Sequence, residues 1–262
     1  MDKVALVSGG AMGYKDGGPS IGGAIALRLA KDGFKVVIID EGEMGQKTAD
    51  LIHDAGGESL FIKTDVTQSN EVKAALEKIK QTYGGLHCLV NCVVRYSQGM
   101  AKNVADISEE EWQATLNVNL GGYFKMAKYS IPMILASGGG TIINISSIET
   151  YTALPNFSVY SVSKAAIDGL TRSLAVDFAP HIRTNSVTPG FVKIANSENN
   201  RTPEELLAWH KGIAQQYPMQ RLCEVDEIAG VVSFLAGKDS SYINGQSIVV
   251  DGGKTIADIH EF

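Results

Sequence analysis

The stretch Val4-Ala5-Leu6-Val7-Ser8-Gly9-Gly10-Ala11-Met12-Gly13, followed after a short polar segment by Ile21-Gly22-Gly23-Ala24-Ile25-Ala26-Leu27-Arg28-Leu29, decides the fold. Its first half is an unbroken apolar run that stops at glycines, too short for a helix and lacking the alternation of a half-exposed strand. Its second half has helical spacing. A strand buried on both faces therefore runs through a glycine turn into a helix. Glycines let such a turn approach a pyrophosphate closely, and the helix start offers amides to its charge.

The same unit recurs along the chain. Short Val- and Ile-rich runs stand at Lys3 to Ser8, Lys35 to Asp40, Glu58 to Lys63, Cys88 to Asn91, Thr141 to Ile145, Ile182 to Thr188 and Ser247 to Val250. Helix-period segments lie between them, at Ile21 to Lys31, Gly45 to His53, Glu71 to Tyr83, Glu109 to Ala136 with interruptions, Ser158 to Phe178 and Asp226 to Leu235. Crossover helices that cover both sides of a parallel sheet require this pattern. The expected fold is α/β, a single doubly wound Rossmann-type domain over residues 1–262 with a seven-stranded parallel sheet. Two stretches interrupt it. Tyr14 to Ser20 precedes the first helix. Residues 191–219 read as a loop and a short helix capped by Thr202, with Pro203 at its first position, and are expected to cover the substrate.

Composition bounds the function. Apolar residues make up 44% of the 262 residues and charged residues 20%, the balance of a folded protein with a packed core. The formal net charge is −6 and no basic run stands out, so neither nucleic acid nor an anionic membrane is expected as a partner. No apolar run reaches the roughly 18 residues of a membrane span, and Met1-Asp2-Lys3-Val4 has no signal-peptide pattern, so a cytoplasmic location is expected. Cys88, Cys92 and Cys223 form no disulfide framework, and the five histidines supply no recognised zinc spacing, so no metal is expected. Cys88 and Cys92 read as buried thiols.

With Tyr14 to Ser20 lifted out, the first turn reads Ser8-Gly9-Gly10-Ala11-Met12-Gly13-Ile21-Gly22, a TGxxxGxG pattern with Ser for Thr and a seven-residue insertion. Further on, Asn144-Ile145-Ser146-Ser147 precedes Pro155 and Tyr160-Ser161-Val162-Ser163-Lys164. Trp112 and Asn117-Val118-Asn119-Leu120-Gly121-Gly122 come earlier, Thr184 to Gly190 and Ile243 to Gly253 later. These blocks, in this order over nearly the whole chain, resemble the short-chain dehydrogenase/reductase family.

The resemblance implies Ser147, Tyr160, Lys164 and Asn119 as the catalytic set. Ser147 would hold the substrate oxygen, Lys164 would also contact the nicotinamide ribose, and Asn119 would position a relay water. It implies cofactor contacts from Ser8, Gly9, Gly13, Ser20, Ile21, Gly22, Asp40, Asp65, Val66, Asn91, Tyr160, Lys164, Pro189, Gly190 and Val192, and a homotetramer or homodimer. The chemistry also follows from the residues. Tyr160 and Lys164, spaced i and i+4, share a helical face. A phenol acting as base near neutrality needs its anion favoured by about 3 pKa units, roughly 4 kcal/mol, which the Lys164 ammonium beside a cationic nicotinamide would supply. Asp40, at the end of the second strand, would accept both adenosine ribose hydroxyls and repel a 2′-phosphate, which favours NAD.

Departures from the family pattern define the remaining questions. Asn91-Cys92-Val93-Val94 replaces Asn-Asn-Ala-Gly, and the insertion either displaces phosphate contacts, adds Lys15 as one, or bulges outward. Arg95, Tyr96, Glu149, Tyr151, Lys193, Asn196, Asn199, Arg201 and His210 form a polar rim that suggests a sugar, polyol or hydroxy acid as the small-molecule substrate. Two other readings stand beside a secondary-alcohol dehydrogenase. An enoyl-thioester reductase is suggested by the widened glycine loop, although that group spaces its tyrosine and lysine seven apart. A dinucleotide-binding protein without turnover is suggested by Val93-Val94. Apolar Ile131, Met133, Leu170 and Leu174 fit either an interface or the core.

Overall fold

The computed structural model describes residues 3–13, 18–194 and 201–257. Seven parallel strands form one sheet in the order β3-β2-β1-β4-β5-β6-β9. They are β1 (Val4–Ser8), β2 (Lys35–Asp40), β3 (Ser59–Lys63), β4 (Cys88–Asn91), β5 (Gly140–Ile145), β6 (Ile182–Pro189) and β9 (Ser247–Val250). The expected seven-stranded doubly wound α/β architecture is the observed one. The order reverses between β1 and β4, and ligands of open α/β sheets bind outside the carboxyl ends at that crevice.

Successive residues of each strand serve two separate cores. Ala5, Val7, Val36, Ile38, Val90, Ile143 and Val187 pack on one face with Ile25 and Leu29 of α1 (Ile21–Lys31) and Ile228 and Val232 of α8 (Val225–Ala236). Leu6, Val37, Ile39, Leu89 and Ile142 pack on the other. There they meet Val72 and Ile79 of α3 (Ser69–Tyr83), Met126 and Ile134 of α5 (Tyr123–Ala136), and Leu174 of α6 (Ser158–Asp177). Two buried faces explain why the strands read as continuous apolar runs. Ile131 and Leu174 are buried, and Met133 and Leu170 pack against the same cluster, so these four belong to the core.

A polar row crosses the carboxyl ends of the central strands. Ser8, Asn91, Asn144 and Ser186 stand in register on β1, β4, β5 and β6, all buried. Asn91 Nδ2 donates to Asn144 Oδ1 at 2.9 Å, and Asn144 Nδ2 donates to Thr171 Oγ1 of α6 at 2.9 Å. Ser186 Oγ donates to Asp168 Oδ1 at 2.8 Å. Buried polar groups cost stability unless paired, so this row fixes the strand ends and α6 in one register.

The segment expected to cover the substrate contains α7 (Pro203–Ala214). It opens with a complete capping box between Thr202 and Glu205, and Pro203 leads the helix. A two-stranded parallel ladder brackets it, β7 (Val192–Lys193) against β8 (Cys223–Glu224), strands too short for sequence periodicity to signal. The expected helical stretch Glu109 to Ala136 is α4 (Glu109–Leu116), a π-helical turn (Asn117–Gly122) and α5, so the interruption lies where Asn119 sits.

Candidate active site

The phosphate cradle is built from the first turn. Gly9 has φ +70°, a left-handed value, and its amide donates to Ile39 O at 2.9 Å. A Cβ on Gly9 would lie 2.8 Å from the Val93 amide nitrogen, and one on Gly22 would lie 2.0 Å from the Gly9 carbonyl oxygen. Glycine is required at both because the backbones themselves touch. The first turn thus meets the chain leaving β4 backbone to backbone, at Cys92 and Val93. The Ser20 side chain caps α1, accepting the Gly23 amide at 3.0 Å and donating to Ala11 O at 2.5 Å. Ile21 and Gly22 supply the remaining first-turn amides that an anion would meet.

The Gly13 amide donates to the Gly18 carbonyl at 2.8 Å, so the base of the insertion is closed on itself. Lys15, weighed as a phosphate partner, lies outside the described residues, as do Asn196 and Asn199 of the polar rim. At the end of β2, the Asp40 carboxylate accepts the Gly42 amide at 3.0 Å. Burial raises its pKa above the ordinary value, against the backbone amides of Gly42, Ala11 and Glu41. Asp65 Oδ1 accepts the Thr67 amide at 2.8 Å, Val66 beside it is buried, and Gly190 donates to Val250 O at 3.0 Å, after the β6 terminus at Pro189. Val192 is buried in β7. Asp40, Asp65 and Gly190 stand at or just after the carboxyl ends of β2, β3 and β6, and the glycine cradle and Ser20-capped helix fit a dinucleotide.

Ser147, Tyr160 and Lys164 come together where β5 ends and α6 begins. The Ser147 hydroxyl accepts the Glu149 amide at 3.3 Å and lies beside the Tyr160 phenol, where its hydrogen bond favours the anion. Burial wins nonetheless and pushes the Tyr160 phenol up to about 12; the neighbouring Tyr96, Glu149 and Cys92 add to it. Lys164 is 3% exposed and donates to the Ile145 carbonyl at 2.9 Å, with its nitrogen 5.6 Å from the Tyr160 ring centre and 5.7 Å from that of Tyr123. Burial lowers its pKa to about 8. Both groups are pushed towards their neutral forms by burial, and the expected lowering of the phenol's pKa by Lys164 is one that calls on a cationic nicotinamide beside it.

Asn119 is fully buried on the π-helical turn. Its Oδ1 accepts the Arg95 amide at 2.6 Å, and its Nδ2 faces Arg95 O at 3.4 Å and Ser163 Oγ at 3.5 Å. It clamps the chain leaving β4 onto the helix that carries Tyr160, a role the sequence did not reveal. Burial raises the Cys88 and Cys92 thiols to about 12; Cys88 is buried as expected and Cys92 half-buried.

Much of the polar rim is spent on internal contacts. Arg95 pairs with Glu111 at 3.1 Å and Lys193 with Glu224 at 3.7 Å, while Arg201 stacks on Trp209 at 4.2 Å. Tyr96 is exposed and meets the Tyr160 ring edge-on at 6.0 Å, with Phe157 completing an aromatic group. Phe191, which donates its amide to Tyr217 Oη at 2.8 Å, packs on Trp209 at 5.2 Å. Tyr217 and Trp209 were not singled out from the sequence. Among the described residues, Arg95 Nε, Glu149 Oε2 and His210 Nε2 are rim atoms left buried without a partner.

This is the arrangement of a nicotinamide-dependent oxidoreductase, with a dinucleotide cradle after β1 and a Ser-Tyr-Lys group where β5 ends and α6 begins. Comparison with known proteins gives the same class. The family model described as Enoyl-(Acyl carrier protein) reductase matches residues 18–255. Cyclohexanol dehydrogenase of Acinetobacter sp. (strain SE19) is 35% identical, over 97% of this chain and 95% of the relative. The structure of Thermoplasma acidophilum aldohexose dehydrogenase superposes with a TM-score of 0.88 at 33% identity, covering 99% of this chain and 97% of that one. A gluconate 5-dehydrogenase from Burkholderia cenocepacia J2315, solved with NADP and tartrate, gives 0.84 at 30% identity, covering 98% and 97%. The chain belongs to the short-chain dehydrogenase/reductase family.

Proposed function

We propose that the protein is an NAD-dependent dehydrogenase that interconverts a secondary alcohol and a ketone on a polar substrate. The observation that carries this reading is the Ser147 hydroxyl beside the Tyr160 phenol, with the Lys164 ammonium 5.6 Å from that ring. In oxidation Tyr160 takes the carbinol proton, and in reduction it returns a proton to the forming alkoxide. Ser147 holds the same oxygen. The cofactor, when bound, accepts the hydride in one direction and supplies it in the other. Lys164 and Asn119 act by holding position, Lys164 at the Ile145 carbonyl and Asn119 at the Arg95 backbone.

Ser8, Gly9, Gly13, Ser20, Ile21, Gly22, Asp65, Val66, Asn91, Pro189, Gly190 and Val192 would hold the dinucleotide, and Asp40 would select NAD. A gluconate dehydrogenase of similar fold was solved with NADP, so the preference rests on Asp40 itself. The i, i+4 placement of Tyr160 and Lys164 supports carbinol chemistry over the enoyl reduction named in the family model's description. Aldohexose and gluconate dehydrogenases among the similar structures support a polar substrate, and cyclohexanol dehydrogenase supports a plain one. Exposed Phe124, Leu135, Val162 and Val176 on α5 and α6 support a homodimer or homotetramer. No helix among the described residues is long and apolar enough to cross a membrane, in keeping with a cytoplasmic enzyme.

Turnover measured by nicotinamide absorbance over sugars, polyols, hydroxy acids and simple alcohols, with both cofactors, tests this reading. Faster turnover with NAD(H) on the polar substrates is expected. NADH binding with no turnover on any substrate would instead favour a non-catalytic dinucleotide-binding protein.

A further inference from the structure

Glu149 lies two residues past Ser147, in the 3-10 turn Ile148–Thr150 that its amide anchors to the Ser147 hydroxyl. The residue is 8% exposed, and its Oε2 atom is buried with no hydrogen-bond partner. A buried acceptor without a donor is costly, and folds rarely keep one that nothing completes. Its surroundings belong to the candidate active site. The phenols of Tyr96, Tyr160 and Tyr217 all feel its charge, and burial raises its own pKa against the Leu154 amide and the Thr152 hydroxyl. Among the described rim cations, Arg95 is paired with Glu111, Lys193 with Glu224, and Arg201 stacks on Trp209.

We propose that Glu149 is the specificity-determining residue of the site. Its carboxylate accepts a hydrogen bond from a second hydroxyl of the substrate, next to the carbinol held by Ser147 and Tyr160. This inference rests on the polar-substrate reading and narrows it to neutral polyhydroxy compounds, sugars or polyols, against hydroxy acids. A neutral hydroxyl completes the orphaned acceptor. A substrate carboxylate placed there meets a like charge, and the rim cations Arg95 and Lys193 already have carboxylate partners. A site built to bond a hydroxyl also discriminates against analogues that lack one, because its polar group is then left unpaired.

The test is steady-state kinetics of the parent, Glu149→Gln and Glu149→Ala on an aldohexose, a hexitol, an aldonate and cyclohexanol, in mildly alkaline buffer. NADH binding by fluorescence and thermal midpoints serve as controls of fold. Both variants are expected to raise KM for the aldohexose and hexitol roughly tenfold or more, with a much smaller change for cyclohexanol. Glu149→Gln is also expected to narrow the preference for the hexitol over the aldonate. A parent that favours polyols, together with variants whose KM values match it, overturns the inference and leaves the polar-substrate reading standing. A parent that favours cyclohexanol, or turns over nothing in the panel, sinks both. A parallel loss on all four substrates would mark Glu149 as structural and overturn the inference as well.

Discussion

The Lys164 ammonium donates to the Ile145 carbonyl at 2.9 Å, and the Tyr123 hydroxyl donates to the same oxygen at 3.0 Å. The lysine is thus tied to the end of β5 before any ligand arrives. Burial of its charge is why its pKa falls to about 8, against the opposing pull of Cys92 and Asp168.

That burial carries a stability cost of known sign. Lys164 titrates at about 8 in the fold against an ordinary 10.5. At neutral pH it is charged in both states, and the fold carries a penalty of roughly 3 kcal/mol. The penalty disappears as pH rises from 8 to 10.5, because the folded state has already released the proton that the unfolded state is losing. Lys164→Met keeps the stem's packing and leaves the Ile145 carbonyl bonded to Tyr123. The variant is expected to lose turnover yet melt at a higher temperature at pH 7, with the gain shrinking through that window. Thermal melts against pH check this, and a lower melting point at pH 7 would contradict it.

Tyr160 has the opposite dependence. Its phenol is raised from 10 to about 12, so the stability gained by keeping it neutral is present below pH 10 and is lost as pH rises towards 12. Acting as a base near neutrality then requires the anion to be favoured by about 5 units, roughly 7 kcal/mol, more than an unperturbed phenol would need. Ultraviolet titration of the ligand-free protein is expected to show a phenol transition above pH 10 that is missing in Tyr160→Phe. A Tyr160 phenolate already present at pH 8 would contradict the geometry.

The glycine cradle is a matter of contact distance. A Cβ at residue 22 would sit 2.0 Å from the Gly9 carbonyl oxygen, so Gly22→Ala must separate α1 from the β1 turn. A destabilisation of about 1–3 kcal/mol is expected, together with loss of NADH binding by fluorescence titration. Unchanged binding would mean that the dinucleotide does not use this turn.

Cofactor choice rests on Asp40. Asp40→Ser is expected to shift the ratio of NADH to NADPH affinity towards NADPH by roughly tenfold. In the parent, the preference for NADH should be full above the raised pKa of Asp40 and fade as pH falls through it. Titration of both cofactors into both proteins decides this, and an unchanged ratio would remove Asp40 as the selector.

The sheet was legible because both of its faces are covered. Val36 and Ile38 look to one core and Val37 and Ile39 to the other, so an unbroken apolar run could only be a buried parallel strand. The grouping of Ser147, Tyr160 and Lys164 was legible because a strand end and a single helical turn bring them together. What the sequence hid depends on distant partners. Nothing near Arg95 shows that Glu111 takes its charge, and nothing near Asn119 shows that it grips the Arg95 backbone across 24 positions. Glu149 stood in the polar rim as one residue among several. Only its burial and the lack of a partner for Oε2 set it apart, and neither has a signature in a single sequence.

The central claim is that Tyr160 moves the substrate proton. Parent and Tyr160→Phe enzymes, followed by nicotinamide absorbance on the best substrate while NADH binding is measured in parallel, test it most directly. The account predicts a loss of turnover of at least about a hundredfold with NADH affinity unchanged. Comparable rates in the two proteins would contradict it.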